Sequence, residues 1–82
     1  MDCSTAIKKA MKSRGCTQNE LAGRLGIKQG SVSNVLRQGN PHINTLTNYL
    51  SAIGYEVAIV PTGTKLPADS MTIDSEIQQS SE

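Results

Sequence analysis

Residues 21–36, LAGRLGIKQGSVSNVL, hold two amphipathic segments of barely two turns each, parted by Gly26 and Ile27. The first segment gathers Leu21, Ala22 and Leu25 on one face; the second gathers Val32, Val35 and Leu36. Helices this short are not stable alone. The chain must therefore fold them at a fixed angle against one another and against their neighbours. The exposed side of the second segment carries Gln29, Ser31 and Asn34. Amide and hydroxyl groups on an open face suit a surface that reads hydrogen-bond patterns. The competing reading is a plain solvated face. Such faces favour Glu and Lys, and residues 29–34 contain neither.

The flanking sequence supplies the neighbours. Residues 4–15, STAIKKAMKSRG, predict a helix capped by Asp2 or Ser4, with Ala6, Ile7, Ala10 and Met11 on one face. Lys12 and Arg14 fall in its last turn, where cations suit the helix dipole, and Gly15 supplies the stop. Thr17 and Glu20 have capping-box spacing, so a second helix starts there and runs to about Leu25 before Gly26. The third starts at Ile27 or Lys28 and stops at Gly39. Gly30, near its start, costs roughly 1 kcal/mol if it counts as helix interior. Either the missing side chain lets this helix end approach a surface closely, or a glycine in the first turn is cheap. After a turn at Gly39-Asn40-Pro41, Ile43, Leu46, Leu50 and Ile53 form the stripe of a fourth helix ended by Gly54. His42 sits at or near its N-cap and reads as structural.

The period then changes. In YEVAIV, residues 55–60, Tyr55, Val57 and Ile59 alternate with Glu56, Ala58 and Val60, and Pro61 terminates the run. That is a strand pattern. A lone strand leaves its backbone groups unpaired. The same strand of a second molecule, across a two-fold axis, is the expected partner. The alternative is an extended segment packed on its own helices. Residues 62–82 are rich in Ser, Thr, Pro and acids and are expected to be a disordered tail, with Met71, Ile73 and Ile77 as a thin apolar thread. Three parts follow: residues 1–54 as a helical domain, 55–61 as a dimerisation strand and 62–82 as the tail.

Composition bounds the rest. The chain has 82 residues, enough for one small domain, and no Trp or Phe, so its core must be aliphatic. The net charge of +1 hides an asymmetry. Residues 1–60 carry seven Lys and Arg (Lys8, Lys9, Lys12, Arg14, Arg24, Lys28, Arg37) against Asp2, Glu20 and Glu56; residues 61–82 carry Lys65 against Asp69, Asp74, Glu76 and Glu82. A mildly basic body with an acidic tail is compatible with a nucleic-acid partner. Cys3 and Cys16 show no C-x-x-C spacing and His42 has no companion ligand, so no metal site, no cofactor and no disulfide framework is expected. Cys16 reads as a small buried residue. No apolar run is long enough to span a membrane. With no signal peptide recognised, the expected location is the cytoplasm. No nucleophile–base pair or phosphate-cradling glycine loop is present, so no enzyme is expected.

Spacing joins these observations into one motif. Counting from Gln18, a small residue stands fifth (Ala22), Gly ninth (Gly26), and branched apolar residues tenth, fifteenth and eighteenth (Ile27, Val32, Val35). Ala22 permits a close helix crossing, Gly26 the tight turn, and Val32 with Val35 the lock of the second helix on the first. That is a helix-turn-helix, whose second helix enters the DNA major groove.

Residues 4–54, through TQNELAGRLGIKQGSVSNVL and NPHINTL, resemble the Xre/Cro/CI-like helix-turn-helix family. The resemblance implies a mainly α, lambda-repressor-like four-helix domain that binds operator DNA as a homodimer and acts as a repressor. GIKQGSVSN, the following helix and YEVAIVP also look like the HipB-type antitoxins. In those, the strand pairs across the dimer and the protein both represses its operon and restrains a kinase-like toxin. A toxin protein is thus the alternative partner. Phage repressor domains usually carry a fifth helix where this chain has its strand. Carried onto this sequence, the resemblance gives Gln18 a phosphate contact and a bracing role. It puts Lys28, Gln29, Ser31 and Asn34 on the reading face, with Gly30 where many relatives carry a base-reading side chain. It sets Ser33, Arg37, Gln38 and Asn40 against the DNA backbone.

Overall fold

The computed structural model describes residues 1–73. Four helices follow in order: α1 (Cys3–Arg14), α2 (Gln18–Leu25), α3 (Gln29–Gln38) and α4 (Ile43–Ile53). Each boundary has a local cause. The carboxylate of Asp2 accepts the Thr5 N–H at 2.8 Å and caps α1. Thr17 and Glu20 form a complete capping box on α2, with Glu20 N–H to Thr17 Oγ1 at 3.1 Å and Thr17 N–H to Glu20 Oε1 at 2.9 Å. Gly26 ends α2 at φ +71°, in the left-handed region that other residues enter only with strain. The Ile27 N–H then returns to the Ala22 carbonyl at 3.0 Å, which closes the turn into α3. The same device closes α1 and α4.

The helices pack around one core. Helix α2 lies against α3, α1 bridges α3 and α4, and α4 covers α2. Ile7, Leu21 and Val32, one from each of the first three helices, are fully buried at the centre. Full burial of each such side chain contributes about 1.5–3 kcal/mol. Cys16 and Ala22 are buried in the same cluster. Leu25 and Val35 are half-buried at its margin.

The expected stripe of α4 needs one correction. Ile43 is 62% exposed, and the buried face is Leu46, Tyr49, Leu50 and Ile53. Tyr49 thus joins the aliphatic core that composition led one to expect, and Ile43, in the first turn, borders a groove that Cys3 and Ala6 of α1 also line.

Beyond Gly54 the described residues form no helix and no strand ladder. Tyr55 packs against the core, while Val57, Ile59 and Val60 are exposed, Ile59 completely. Residues 61–73 carry turns, with Thr64 N–H to the Pro61 carbonyl at 3.2 Å and Ser70 N–H to the Pro67 carbonyl at 3.0 Å. Met71 packs against the core cluster. Ile77 and the remainder of the expected tail lie outside the described residues.

Candidate nucleic-acid interface

Two amides organise the surface between α2 and α3. Gln18 and Gln29 are each the first residue of a helix, and each backbone is fixed by the turn before it. Gln29 Nε2 donates to Gln18 Oε1 at 2.7 Å. Ser33, one turn further along α3, donates its hydroxyl to the same oxygen at 2.7 Å and lies 3.2 Å from Gln29 Nε2. The three side chains form a closed ring across the helix pair.

Around this ring α3 presents a polar face. Lys28, Gln29, Gly30, Ser31, Asn34, Arg37 and Gln38 are exposed, while Gln18 and Ser33 are half-buried. Asn40 is exposed in the turn beyond α3. Arg37 donates to the Asn34 side-chain carbonyl one turn back. Residues 28–40 contain no acid. A Cβ built on Gly30 meets nothing within 4 Å, so packing within the chain does not require glycine there.

Other cations are engaged elsewhere. Arg24 donates to the Ala52 carbonyl at 3.0 Å, and Arg14 lies 3.5 Å from the Gly54 carbonyl with its guanidinium 5.3 Å from the centre of the Tyr55 ring. Both meet the C-terminal end of α4, where the helix dipole favours positive charge. Lys8, Lys9 and Lys12 are exposed along α1.

The residues expected to dimerise lie apart from this face. Tyr55 is half-buried, and Glu56, Val57, Ala58, Ile59 and Val60 are exposed. They border a groove of about 840 Å³ with Ile43, Leu46 and Leu50 of α4 and Met71. Among the described residues no cluster of His, Cys, Asp or Glu could hold a metal ion, and no helix is long and apolar enough to cross a membrane.

Two contacts escaped the sequence reading. The Ser33 hydroxyl turns toward Gln18, a direction that its spacing of four from Gln29 allows. Ser4 is buried between α1 and the end of α3.

The profile of the family described as helix-turn-helix matches residues 7–60, which contain the Gln18–Gln29–Ser33 ring and its polar face. The chain belongs to the helix-turn-helix family. It is similar to Antitoxin HipB of Escherichia coli (strain K12), with 38% identity over 50 residues. That match covers 61% of this chain and 54% of the relative, so the chain spans about half the length of the curated relative it matches. No solved structure matches. In a helix-turn-helix the second helix of the pair, here α3, is the one that enters the major groove.

Proposed function

We propose that this protein is a sequence-specific DNA-binding transcriptional regulator, a repressor that binds an inverted-repeat operator as a homodimer. The acid-free outward face of α3, braced by Gln18, carries this reading. Gln29 and Asn34 are the base readers, because an amide offers a donor and an acceptor side by side and matches adenine N7 and N6. Lys28 reaches a base or a phosphate. Ser31 serves as a permissive base contact. Gln18, Ser33, Arg37, Gln38 and Asn40 face the sugar-phosphate backbone and set register. The exposed apolar residues of 55–60 support pairing of this segment with its copy in a second molecule. The two recognition helices then meet half-sites about 34–36 Å apart, or a multiple of that.

Binding is measured by fluorescence anisotropy on the protein's own upstream DNA, against a scrambled duplex and over a salt series. Selective binding by the wild type, lost in Gln29→Ala/Asn34→Ala, is the expected outcome. Each reader should account for about 1–3 kcal/mol of discrimination. Equal, salt-sensitive affinity for both duplexes would remove the sequence-specific reading.

The likeness to Antitoxin HipB favours a second reading, in which the protein binds and restrains a toxin and uses DNA binding to regulate its own operon. Expression with the neighbouring genes decides between them: a stoichiometric second chain that co-purifies supports the antitoxin, and a lone homodimer supports the repressor.

A further inference from the structure

We propose that Gly30 is a positioning residue of the DNA contact: its missing side chain lets the backbone of α3 seat close to the base edges, so that the short side chains of Ser31 and Asn34 reach them. This rests on the reading of α3 as the recognition helix.

The fold does not ask for glycine at this site. Gly30 lies within α3 and is not one of the glycines with positive φ. A Cβ built there meets open space. Alanine is the better helix former and loses less backbone freedom on folding. An alanine at 30 should therefore stabilise the chain without a clash inside it. What glycine does better than any other residue is to let a backbone come close to a ligand.

The neighbours keep the same face low. Gly30, Ser31 and Asn34 are all exposed, and Asn34 stands one turn along α3 from Gly30. The Ser31 hydroxyl ends one bond beyond Cβ and the Asn34 amide two. Gln29, the longer side chain beside Gly30, is folded back onto α2, with its Nε2 2.7 Å from Gln18 Oε1. Asn34 leans along the helix to Arg37, which donates to its side-chain carbonyl. The centre of the face is thus shallow, with the long cations Lys28 and Arg37 at its two ends. Base edges lie at the floor of a groove about 8.5 Å deep. Readers as short as Ser31 and Asn34 reach that floor only when the helix backbone comes down to it. A Cβ at 30 stands on the same face as Asn34 and would meet the groove first.

Gly23 supplies an internal comparison. It too is exposed within a helix, and a Cβ there meets open space. It lies five residues beyond Gln18, about 140° round α2. That places it away from the side of α2 on which Gln18 meets α3. The two glycines share the same helical cost and differ in whether they stand on the proposed DNA face.

The experiment compares wild type, Gly30→Ala, Gly30→Leu, Gly23→Ala and Asn34→Ala as full chains. The wild type first selects an operator from a randomised duplex library. The base pair whose preference disappears in Asn34→Ala is the one that Asn34 reads. Affinity for the operator and for a scrambled duplex is then read by fluorescence anisotropy over a salt series, and stability by urea unfolding. Gly30→Ala and Gly23→Ala are both expected to raise the urea midpoint. Only Gly30→Ala is expected to lose operator affinity, by about tenfold or more, the scale of one lost base contact. Its preference at the Asn34 pair is expected to shrink, with the scrambled-duplex affinity and the salt slope unchanged. Gly30→Leu is expected to lose more. A Gly30→Ala protein that binds the operator as tightly as the wild type overturns the inference, and the loss in Asn34→Ala still supports reading by α3. A lower urea midpoint for Gly30→Ala overturns it too, because the glycine then serves the fold. So does an equal loss of affinity in Gly23→Ala, or a uniform loss on both duplexes with a shallower salt slope, the mark of a lost phosphate contact. A wild type that enriches no sequence overturns both the inference and the reading beneath it.

Discussion

Ser4 is a polar side chain in an apolar place. It is 3% exposed, and three hydrogen bonds engage it. Its hydroxyl donates to the Val35 carbonyl at 3.0 Å and accepts from the Gly39 N–H at 3.0 Å, while its own N–H donates to the Gly39 carbonyl at 3.1 Å. The Val35 carbonyl is one of the last four of α3, which have no partner within their helix. Ser4 therefore ties the end of the candidate recognition helix to the start of α1. Replacing it with Ala strands a part-buried donor and a part-buried acceptor. Ser4→Ala is expected to cost about 1–3 kcal/mol, read as a lower urea midpoint with an unchanged slope. A shift below a few tenths of a kcal/mol would mean that water replaces the hydroxyl. The position was legible and the role was not. Ser4, Ile7 and Met11 share the spacing of one buried stripe, but a Ser two residues after Asp2 reads equally well as a cap. The structure gives the cap to Asp2 and turns Ser4 inward. The contact of Gln18 with Gln29 was implied by the family resemblance; the part of Ser33 was not, because spacing gives a face and not the direction of a hydroxyl.

At the scale of elements the boundaries were the most legible feature, because each is set by residues in direct sequence. Asp2 and the Thr17–Glu20 box start two helices, and Gly26 forces the turn between α2 and α3. Two of these caps titrate. The backbone N–H of Thr5 holds the Asp2 carboxyl below its ordinary value, and the backbone N–H of Thr17 does the same for Glu20. A carboxyl whose value is lowered on folding contributes stability that is complete above its unfolded value. That contribution is lost as pH falls through the lower, folded one. The urea midpoint is therefore expected to drop between about pH 5 and pH 3, across and below the ordinary carboxylate range. Asp2→Asn/Glu20→Gln keeps a capping oxygen at both sites and cannot titrate, so its midpoint should fall less over the same interval. Equal slopes for the two proteins would assign the acid loss to other carboxyls. Long-range packing was less legible. The period of α4 picks out Ile43 as readily as Leu46, but Ile43 lies exposed at the groove, while Tyr49 fills the core. Periodicity identifies a face; it does not say how far along that face the neighbouring elements cover it.

At the scale of the whole molecule, an apolar surface among the described residues is left open after α4. In sequence, Tyr55, Val57 and Ile59 share one side of an alternating run. Tyr55 begins that side on the core, Val57 is 40% exposed and Ile59 is entirely exposed. Alternation is legible in a sequence, but a strand exists only with a ladder partner, and none of the described residues supplies one. In the proposed homodimer a second copy supplies it. Substitution at a fully exposed site of a monomer changes stability by no more than about 0.5 kcal/mol. In a dimer the same site would be covered, and a charge on a paired strand blocks edge-to-edge association. Ile59→Lys separates these cases. In sedimentation velocity the wild type is expected to run as a dimer at micromolar concentration, with a melting temperature that rises with protein concentration. The variant is expected to run as a monomer with the same helical content and no such rise. Its operator affinity should fall by about 10²-fold or more, because a monomer loses the effective concentration that links the two half-sites, while its preference at single base pairs is kept. A wild type that sediments as a monomer, or a variant that stays dimeric, would place the two-fold contact elsewhere and detach the half-site spacing from residues 55–60. The same variant thus tests whether the proposed reading face of α3 and the apolar run after α4 are two halves of one device, since only then does a charge at Ile59 weaken DNA binding without altering which bases are read.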